Sequence, residues 1–136
     1  MSWLLDTNAC IHLLKLREPL VRRVRQVGPG ALAVSTMTCA ELWYGAAKSR
    51  HPRRTRSEQE ALLEPFRIID FDGAAADRYA STKAHLAQLG RPIGDRDLMI
   101  AATALARRLG VVTSNLGEFS RIPSLRVEDW MAEEIA

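Results

Sequence analysis

The sequence has few of the residues that build disulfide frameworks or zinc sites. Of its 136 residues only two are cysteine, Cys10 and Cys39, and only three are histidine. Their spacing fits no zinc motif, and the apolar neighbours of both cysteines indicate buried, free thiols. Because such thiols persist in a reducing compartment, we expect a cytoplasmic protein.

Nothing in the sequence predicts a membrane or secreted protein. The longest apolar run, near residues 98–106, is too short to span a bilayer and contains Thr103. No basic segment followed by an apolar one opens the chain, so we expect no secretion signal. Internal repeats, low-complexity segments and linkers are also absent. The length suits one compact domain, which we predict over residues 1–136.

Positive charge is concentrated in the first part of the chain. Residues 1–56 contain ten Lys and Arg against three acidic residues, a net charge of +7, whereas residues 57–136 have a net charge of −4. Sixteen of the nineteen basic residues are arginine, which binds phosphate through two hydrogen bonds and stacks on bases. This excess suits a nucleic-acid partner, although arginine also replaces lysine in proteins from genomes rich in G and C.

Short apolar segments alternate with longer amphipathic ones, which is typical of a parallel sheet covered by helices on both faces. The predicted strands comprise residues 3–5, 32–35, 67–71, 111–113 and 125–127. The predicted helices comprise residues 9–16, 19–27, 36–48, 57–65, 74–89 and 96–109, with one further turn between 114 and 124. The polar, basic segment 49–56 is expected to be a mobile connector. The sequence therefore predicts an α/β fold with a central, mainly parallel sheet of four to five strands.

Four polar residues, far apart in the sequence, are expected at one edge of this sheet. Asp6 follows the first predicted strand and Asn115 the fourth, while Glu41 lies early in the helix after the second strand. Asp97 begins a helix that runs down into the fourth strand, so its amino end lies at the carboxyl edge. That edge of a parallel sheet is the usual place for a ligand site.

Asp97 gives a further indication of a bound cation. Its helical neighbours at +3, +4 and +7 are apolar, which places its carboxylate on the buried stripe of the helix. A buried acid without a partner is costly, and no Lys or Arg has a matching spacing. Carboxylate and amide oxygens are hard ligands that suit Mg²⁺ or Mn²⁺ rather than Zn²⁺. A divalent cation that also binds substrate phosphates would satisfy this acid.

Each of these residues also has a purely structural interpretation, which the sequence leaves open. The alternatives are a helix cap at Asp6, Thr7 or Asn8, a capping box from Thr38 to Glu41, a cap at Asp95 with Asp97 favouring the helix dipole, and a turn at Asn115. Taken singly, these structural interpretations are the better explanation. Four coincidences at one edge of the sheet are a weaker explanation than one shared site.

Four segments of the chain keep the order and spacing of a known family. They are Leu-Leu-Asp-Thr-Asn at 4–8, Thr-Cys-Ala-Glu-Leu-Trp-Tyr-Gly at 38–45, Arg-Pro-Ile-Gly-Asp-Arg-Asp-Leu-Met-Ile-Ala-Ala at 91–102, and Val-Thr-Ser-Asn-Leu-Gly-Glu-Phe at 112–119. With these segments the chain resembles the PIN domain family, and within it the VapC toxins of bacterial toxin–antitoxin pairs. Residues 122–130 also look like the carboxyl end of that family.

The resemblance implies a PIN-like fold and an endoribonuclease that depends on Mg²⁺ or Mn²⁺. Asp6, Glu41 and Asp97 match the acidic metal ligands of the family, and Asn115 stands where the family often has a fourth catalytic acid. The missing charge leaves open whether one or two metal ions bind. Glu118 could act in its place through water. The residues expected beside the ligands are Thr7, Asn8, Asp95, Thr113 and Glu118.

The resemblance also implies partners. In this family a small VapB-type antitoxin blocks the acidic groove, and promoter DNA is bound only through the antitoxin. The toxins usually form homodimers and higher toxin–antitoxin oligomers. Similar toxins cut structured RNA, commonly the anticodon loop of initiator tRNA, so that tRNA is the expected substrate class.

Basic and aromatic residues in the first part of the chain are candidates for contacts with RNA. The arginines expected to hold flanking phosphates are Arg22, Arg23, Arg25, Arg50, Arg53, Arg54 and Arg56. Trp43 or Tyr44 could stack on a base, although helical spacing favours a core position for Trp43.

Other families whose first strand ends in an acid fit the sequence less well. A phosphatase of the haloacid dehalogenase type needs a second acid where this chain has Asn8. A response-regulator receiver needs a lysine after its last strand, and all three lysines fall on predicted helices. A metal-free ribonuclease needs paired histidines, which the three scattered ones do not provide. The remaining alternative is a PIN module that binds RNA without cutting it.

Overall fold

Five parallel strands form the centre of the protein in a computed structural model that describes residues 1–132. The strands are β1 (Trp3–Leu5), β2 (Leu32–Ser35), β3 (Arg67–Ile69), β4 (Gly110–Val112) and β5 (Val127–Glu128). Their order is β3-β2-β1-β4-β5, and every neighbouring pair is parallel. The predicted sheet is therefore confirmed. The single domain over residues 1–136 stays a prediction, and residues 133–136 lie outside the described residues.

Within the described residues, seven α-helices connect and cover the strands. They are α1 (Thr7–Leu14), α2 (Glu18–Val27), α3 (Thr36–Ala47), α4 (Pro52–Leu63), α5 (Gly73–Gln88), α6 (Asp95–Ala106) and α7 (Leu116–Phe119). A short 3-10 helix occupies Pro29–Ala31. Each predicted helix is present with shifted ends. No helix in residues 1–132 combines the length and apolar character that crossing a membrane requires.

The polar segment expected to be a mobile connector is mostly helical, because α4 already begins at Pro52. Proline is tolerated there, since a residue in the first turn lacks an N–H partner in any case. Ion pairs one turn apart then support the exposed face, Arg54 with Glu58 (3.4 Å) and Arg56 with Glu60 (3.0 Å). The prediction was wrong because a run of charge was interpreted as a loop, whereas this spacing of opposite charges favours a helix.

Successive residues of the inner strands face opposite sides of the sheet and build two separate cores. Leu5, Val34 and Val112 pack on one side with residues of α1 to α4. Leu4 and Val111 pack on the other side with residues of α5 to α7. Both cysteines are buried as free thiols in the first core, as predicted. Because both faces are covered, every residue of the inner strands is buried, and all of them except Ser35 at the end of β2 are apolar or glycine.

The central strand β1 lies where the chain changes direction across the sheet. The chain adds β2 and β3 on one side of β1 and later adds β4 and β5 on the other. Connections after β1 and β4 therefore diverge and leave a crevice at the carboxyl edge, the place where open parallel sheets bind ligands. Asp6 and Thr113 directly follow these two strands.

A glycine is required where β4 passes the ring of Trp3. Gly110 and Trp3 are partners in the parallel register of the two strands. A Cβ added at Gly110 would lie 2.4 Å from the Trp3 ring. That ring is buried and packs edge-on against Trp130, with 5.7 Å between the ring centroids. The ring therefore has no space into which it could move without disturbing the first core.

We expect Gly110→Ala to lower the free energy of unfolding by about 1–3 kcal/mol, the usual cost of overpacking a rigid core. The matched control is Gly30→Ala, since a Cβ at Gly30 meets no atom within 4 Å, and its stability should remain close to that of the wild type. Urea denaturation followed by circular dichroism measures both. A Gly110→Ala protein of unchanged stability would contradict the packing around Trp3.

Candidate active site

Asp6 is the buried acid at the centre of the site. It directly follows β1, is only 3% exposed, and donates its backbone N–H to the Val112 carbonyl (3.1 Å). Its Oδ1 accepts a hydrogen bond from the Ala9 N–H (2.8 Å), which makes Asp6 the N-cap of α1. Of the three residues that the sequence offered as the cap of this helix, Asp6 forms it rather than Thr7 or Asn8. The same hydrogen bond fixes the orientation of its carboxylate.

Glu41 reaches the same site from α3. Its Oε1 accepts a hydrogen bond from the Thr7 hydroxyl (2.9 Å), and its Oε2 lies 3.6 Å from the Arg96 guanidinium. The cap of α3 is Ser35, whose hydroxyl accepts from the Thr38 N–H (3.1 Å). Glu41 therefore contacts side chains of the site rather than the backbone N–H that a capping box would require.

Asp97 and Asn115 meet at the same edge of the sheet. The Asn115 side-chain amide donates to Asp97 Oδ2 (3.3 Å), and the Asn115 backbone N–H donates to the Thr113 hydroxyl (2.9 Å). Glu118, in α7, lies beside the Asp97 carboxyl group and adds to the effect of burial in raising the pKa of that group. Asn115 is thus more than a turn residue, because it orients an acid of the neighbouring helix.

Asp95, two residues before Asp97, is held elsewhere. Its carboxylate accepts hydrogen bonds from the Lys83 ammonium (2.9 Å) and the Tyr79 hydroxyl (2.9 Å) of α5. The N-cap of α6 is Gly94, so the alternative of a helix cap at Asp95 is not formed. Of the residues expected beside the ligands, this one lies outside the site.

The three predicted acids surround one cavity of about 260 Å³ at the carboxyl edge. Its polar lining consists of Asp6, Glu41 and Asp97, with Thr7, Asn8, Lys48 and Arg96. These residues come from α1 and the residue before it, from α3 with its C-cap, and from α6. The topology therefore brings together side chains that are about ninety positions apart in the chain.

Negative charge in the site is only partly compensated by the protein. Burial raises the pKa of Asp6 from 3.8 to about 6, although hydrogen bonds, one of them with Thr113, favour its carboxylate form. The charges of Asp97 and Glu41 add to this rise. Burial also raises the pKa of Asp97, with the Glu118 carboxyl group as the second cause. A bound cation would relieve this repulsion.

The described residues do not form a closed metal cage. Within residues 1–132, no three Asp, Glu, His or Cys side chains are grouped in a way that could hold a metal ion. The oxygen donors of Asp6, Glu41 and Asp97 nevertheless fit the chemistry of Mg²⁺, which keeps several waters and uses one or two carboxylates together with substrate phosphates. The site thus presents carboxylates around an open cavity rather than a preformed set of three ligands.

Two basic residues line the cavity that were not among the predicted site residues. Arg96 directly precedes Asp97, and Lys48 lies seven residues after Glu41. Positions seven apart are two turns apart on one face of a helix, so the sequence held a signal for Lys48. No comparable signal identified Arg96, because its contact with Glu41 joins two helices.

The arginines predicted to contact RNA are absent from the described lining of this cavity. Three of them have described partners in the fold: Arg23 pairs with Glu128 (3.3 Å), Arg54 pairs with Glu58, and Arg56 pairs with Glu60 and lies 4.0 Å from the Trp43 ring centroid. Trp43 is 36% exposed, so the core position favoured for it was wrong. Tyr44 is 64% exposed and lines the cavity.

Comparisons with known proteins agree with this arrangement. The PIN domain profile matches residues 3–125. The chain is 40% identical to a protein of Shigella flexneri named tRNA(fMet)-specific endonuclease VapC, over 96% of this chain and 98% of that protein. It is 39% identical to ribonuclease VapC2 of Haemophilus influenzae, over 96% of this chain and 99% of that protein.

Solved structures show the same likeness in three dimensions. A DNA-bound VapBC complex from Salmonella typhimurium contains a chain that matches with a TM-score of 0.90 and 40% identity, covering 96% of this chain and 98% of that one. VapBC2 of Rickettsia felis, bound to a fragment of its promoter, matches with a TM-score of 0.89 and 33% identity, covering 96% and 99%. The family resemblance read from the four sequence segments is confirmed.

The raised pKa of Asp6 predicts how stability depends on pH. The folded protein holds this proton up to pH about 6 and the unfolded chain only up to 3.8, so the free energy of unfolding decreases as pH rises between these values. We expect Asp6→Asn, which keeps a good N-cap, to be more stable than the wild type at pH 7, by up to ~3 kcal/mol. Thermal denaturation in EDTA should show this gain vanish near pH 3.5.

The matched control is Asp72→Asn. Asp72 caps α5 through the Ala75 N–H (3.0 Å) in the same way, but that hydrogen bond and the nearby Arg107 lower the pKa of its exposed carboxyl. Its replacement should therefore bring no gain at pH 7. An Asp6→Asn protein less stable than the wild type at pH 7 would contradict the charge balance described for the site.

Proposed function

The chain belongs to the PIN domain family, and from this premise we propose that it is the ribonuclease toxin of a VapBC-type toxin–antitoxin pair. Its reaction is hydrolysis of an RNA phosphodiester bond. The observation that carries the proposal is the convergence of Asp6, Glu41 and Asp97 on one cavity at the carboxyl edge of the sheet. Relatives named as VapC ribonucleases, which align over nearly the whole chain, support the same activity.

We propose that Asp6 and Asp97 hold a divalent cation, Mg²⁺ or Mn²⁺, with Glu41 as the third acid. When bound, such a cation supplies a Lewis acid for the phosphoryl oxygens of the substrate. The raised pKa values of Asp6 and Asp97 support this role, because each carboxyl group lacks sufficient positive charge nearby. Asn115 leaves one acid fewer than the family often has, which favours a single ion.

The residues around these acids hold them in position before any substrate binds. The Thr7 hydroxyl orients Glu41, and the Asn115 amide orients Asp97. The Ala9 N–H and the Thr113 hydroxyl fix Asp6. Preorganised acids do not have to reorient during the reaction, which is where much of the catalytic gain of an enzyme arises. These neighbours therefore act as positioning residues rather than as groups that react.

The proposed substrate is a structured RNA, and initiator tRNA is the first one to test. The relatives from Shigella flexneri and Salmonella typhimurium are both named tRNA(fMet)-specific endonucleases. The excess of arginine in residues 1–56 suits the flanking phosphates. Hydrolysis by water at phosphorus, with the 3′ oxygen as leaving group, produces 5′-phosphate ends.

The proposed partner is a VapB-type antitoxin, with which the related VapC chains occur in solved complexes bound to DNA. We propose that promoter DNA is contacted through the antitoxin and that the toxin forms homodimers within a larger complex. The buried free thiols of Cys10 and Cys39 suit the reducing cytoplasm, where such a pair would act.

The alternative is a PIN module that binds RNA without cutting it, with Asn115 as the sign of lost activity. The contact between Asn115 and Asp97 argues against this alternative, because the amide donates a hydrogen bond that an ionised Asp at that position could not donate. Asn115 thus has a positive role, the orientation of Asp97, and its presence is not by itself a sign of lost activity.

We expect the purified protein to cleave initiator tRNA with Mg²⁺ or Mn²⁺ and to lose this activity in EDTA. Asp97→Asn should lower the cleavage rate at least about 100-fold, since even changes outside the ligand set cost up to that factor in metal sites. Asp77→Asn is the matched control, because Asp77 is an exposed acid of α5 outside the cavity. Gel analysis with mapping of 5′ ends measures the rates.

Cleavage that continued in EDTA would rule out the metal-dependent mechanism. Tight RNA binding with no cleavage in the presence of either Mg²⁺ or Mn²⁺ would favour the non-catalytic alternative. Equal losses in Asp97→Asn and Asp77→Asn would show that the acids of the cavity have no special role.

Metal binding should also be visible without RNA. At pH 7 we expect Mn²⁺ at a hundred times its dissociation constant to raise the free energy of unfolding by about 2.7 kcal/mol. Asp6→Asn should show a much smaller increase, because one proposed ligand has lost its charge. Thermal denaturation over a series of Mn²⁺ concentrations measures both proteins. An equal increase in the two would place the ion elsewhere.

A further inference from the structure

The face of α3 that carries Glu41 continues along the cavity beyond the acids. Tyr44, Gly45 and Lys48 follow Glu41 at +3, +4 and +7, which places all four on one side of the helix axis. The three residues line the same cavity as Asp6 and Asp97. We call Tyr44, Gly45 and Lys48 the α3 platform. Next to the acids it contributes the aromatic ring of Tyr44, the open space above Gly45 and the positive charge of Lys48.

The ring of Tyr44 faces the solvent rather than the core. It is 64% exposed, and the Lys48 ammonium lies 4.8 Å from its ring centroid. No core cluster among the described residues includes Tyr44. A large aromatic residue so exposed on the wall of a cavity has an apolar surface that a stacked ring could cover.

A second pair with the same spacing shows what a purely structural tyrosine–lysine pair looks like in this protein. In α5, the Lys83 ammonium lies 5.3 Å from the Tyr79 ring centroid. Both polar ends of that pair are bound by Asp95, at 2.9 Å each. By contrast, no acidic side chain in residues 1–132 forms an ion pair with Lys48. Its positive charge thus remains available at the cavity.

Gly45 has no structural reason to be glycine. Glycine weakens the interior of a helix relative to alanine, and Gly45 lies in the last third of α3. A Cβ added there would meet no atom within 4 Å, and its φ is not in the left-handed region. Packing and backbone geometry both permit a side chain. The missing side chain therefore keeps space open in the cavity between Tyr44 and Lys48.

We propose that the α3 platform is a nucleotide-binding subsite, in which an unpaired base of the RNA stacks on Tyr44, a phosphate next to it binds Lys48, and its backbone passes over Gly45. The proposal rests on the proposed ribonuclease function and specifies how the substrate is held beside the acids. Unpaired RNA bases are bound in this way, by an aromatic ring for the base and a cation for the phosphate.

The charges of the cavity favour RNA over a peptide on this platform. A basic peptide would be attracted to Asp6, Glu41 and Asp97 and repelled by Lys48, whereas an acidic peptide would meet the three carboxylates. A nucleotide chain differs from both, because its phosphates alternate with uncharged bases. It can therefore place a phosphate at Lys48 and a base on Tyr44.

Binding is measured by fluorescence anisotropy with a labelled anticodon stem–loop of initiator tRNA, on Asp6→Asn protein so that cleavage does not interfere. In this background Tyr44→Ala should weaken binding roughly tenfold, in the range found for loss of one stacked base, whereas Tyr44→Trp should bind within about twofold of the parent. Lys48→Ala should weaken binding and reduce the slope of log affinity against log salt by about 0.7.

Matched controls separate the platform from general losses of aromatic surface or charge. Tyr79→Ala removes the aromatic residue of the structural pair in α5, and Lys15→Ala removes an exposed lysine; both residues lie outside the cavity. Both should bind as the parent does. The proposal is overturned if Tyr44→Ala and Lys48→Ala bind as the parent does, or if the controls lose as much affinity.

Gly45→Ala gives a test that a structural role cannot imitate. We expect this variant to have a higher melting temperature than the parent, because alanine favours the helix, and yet to bind the stem–loop more weakly. Gly73→Ala, at the start of α5, should leave binding unchanged. If Gly45→Ala is stabilised and binds normally, the space above Gly45 has no role and the proposal is wrong.

The outcomes distinguish this proposal from the proposed function. If the wild type fails to cleave RNA but the platform variants still lose binding, the ribonuclease proposal fails and the subsite stands. If the wild type cleaves and the variants bind as the parent does, the subsite alone is wrong. Variants that keep RNA binding but no longer bind a VapB-type antitoxin would assign the platform to the antitoxin and overturn the proposal.

Discussion

Parallel pairing of β1 with β2 on one side and β4 on the other is the constraint on which the site depends. It places the residue after β1 in the middle of the sheet, at the point where the connections diverge. Asp6 is consequently buried, and helices entering and leaving the neighbouring strands bring Glu41 and Asp97 to it. An antiparallel β1 would have placed Asp6 at the opposite edge, away from both acids.

Repulsion among the three acids destabilises this arrangement. The fold compensates with hydrogen-bond donors directed at the carboxylates rather than with buried ion pairs. Hydroxyl, amide and backbone donors hold the carboxylates of Asp6, Glu41 and Asp97 in place. Glu41 forms an ion pair with Arg96, whose side chain is 72% exposed, so that solvent screens this attraction strongly. The protein thus keeps its acids ordered and underneutralised, a state that lowers stability and favours cation binding.

Helix α3 connects the core, the acids and the open part of the cavity, because each of its faces has a different environment. Leu42 and Ala46 are buried, while Trp43 lies under Arg56 of α4. Tyr44 and Lys48 line the cavity that also contains the acids. A rigid helix fixes the distances along its surface, so groups that would bind substrate and groups that would hold a metal are positioned by the same packed element.

The sequence by itself determined the alternation of strands and helices, the two buried thiols and the placement of four polar residues at one edge, because hydrophobic period and strand ends are local properties. It could not decide that Asp95 pairs with Lys83 while Asp97 meets Asn115, nor that Trp43 is exposed. Those outcomes depend on how each helix is rotated about its axis when it packs. Only contacts between residues distant in the chain fix that rotation, and they exist in the tertiary structure alone.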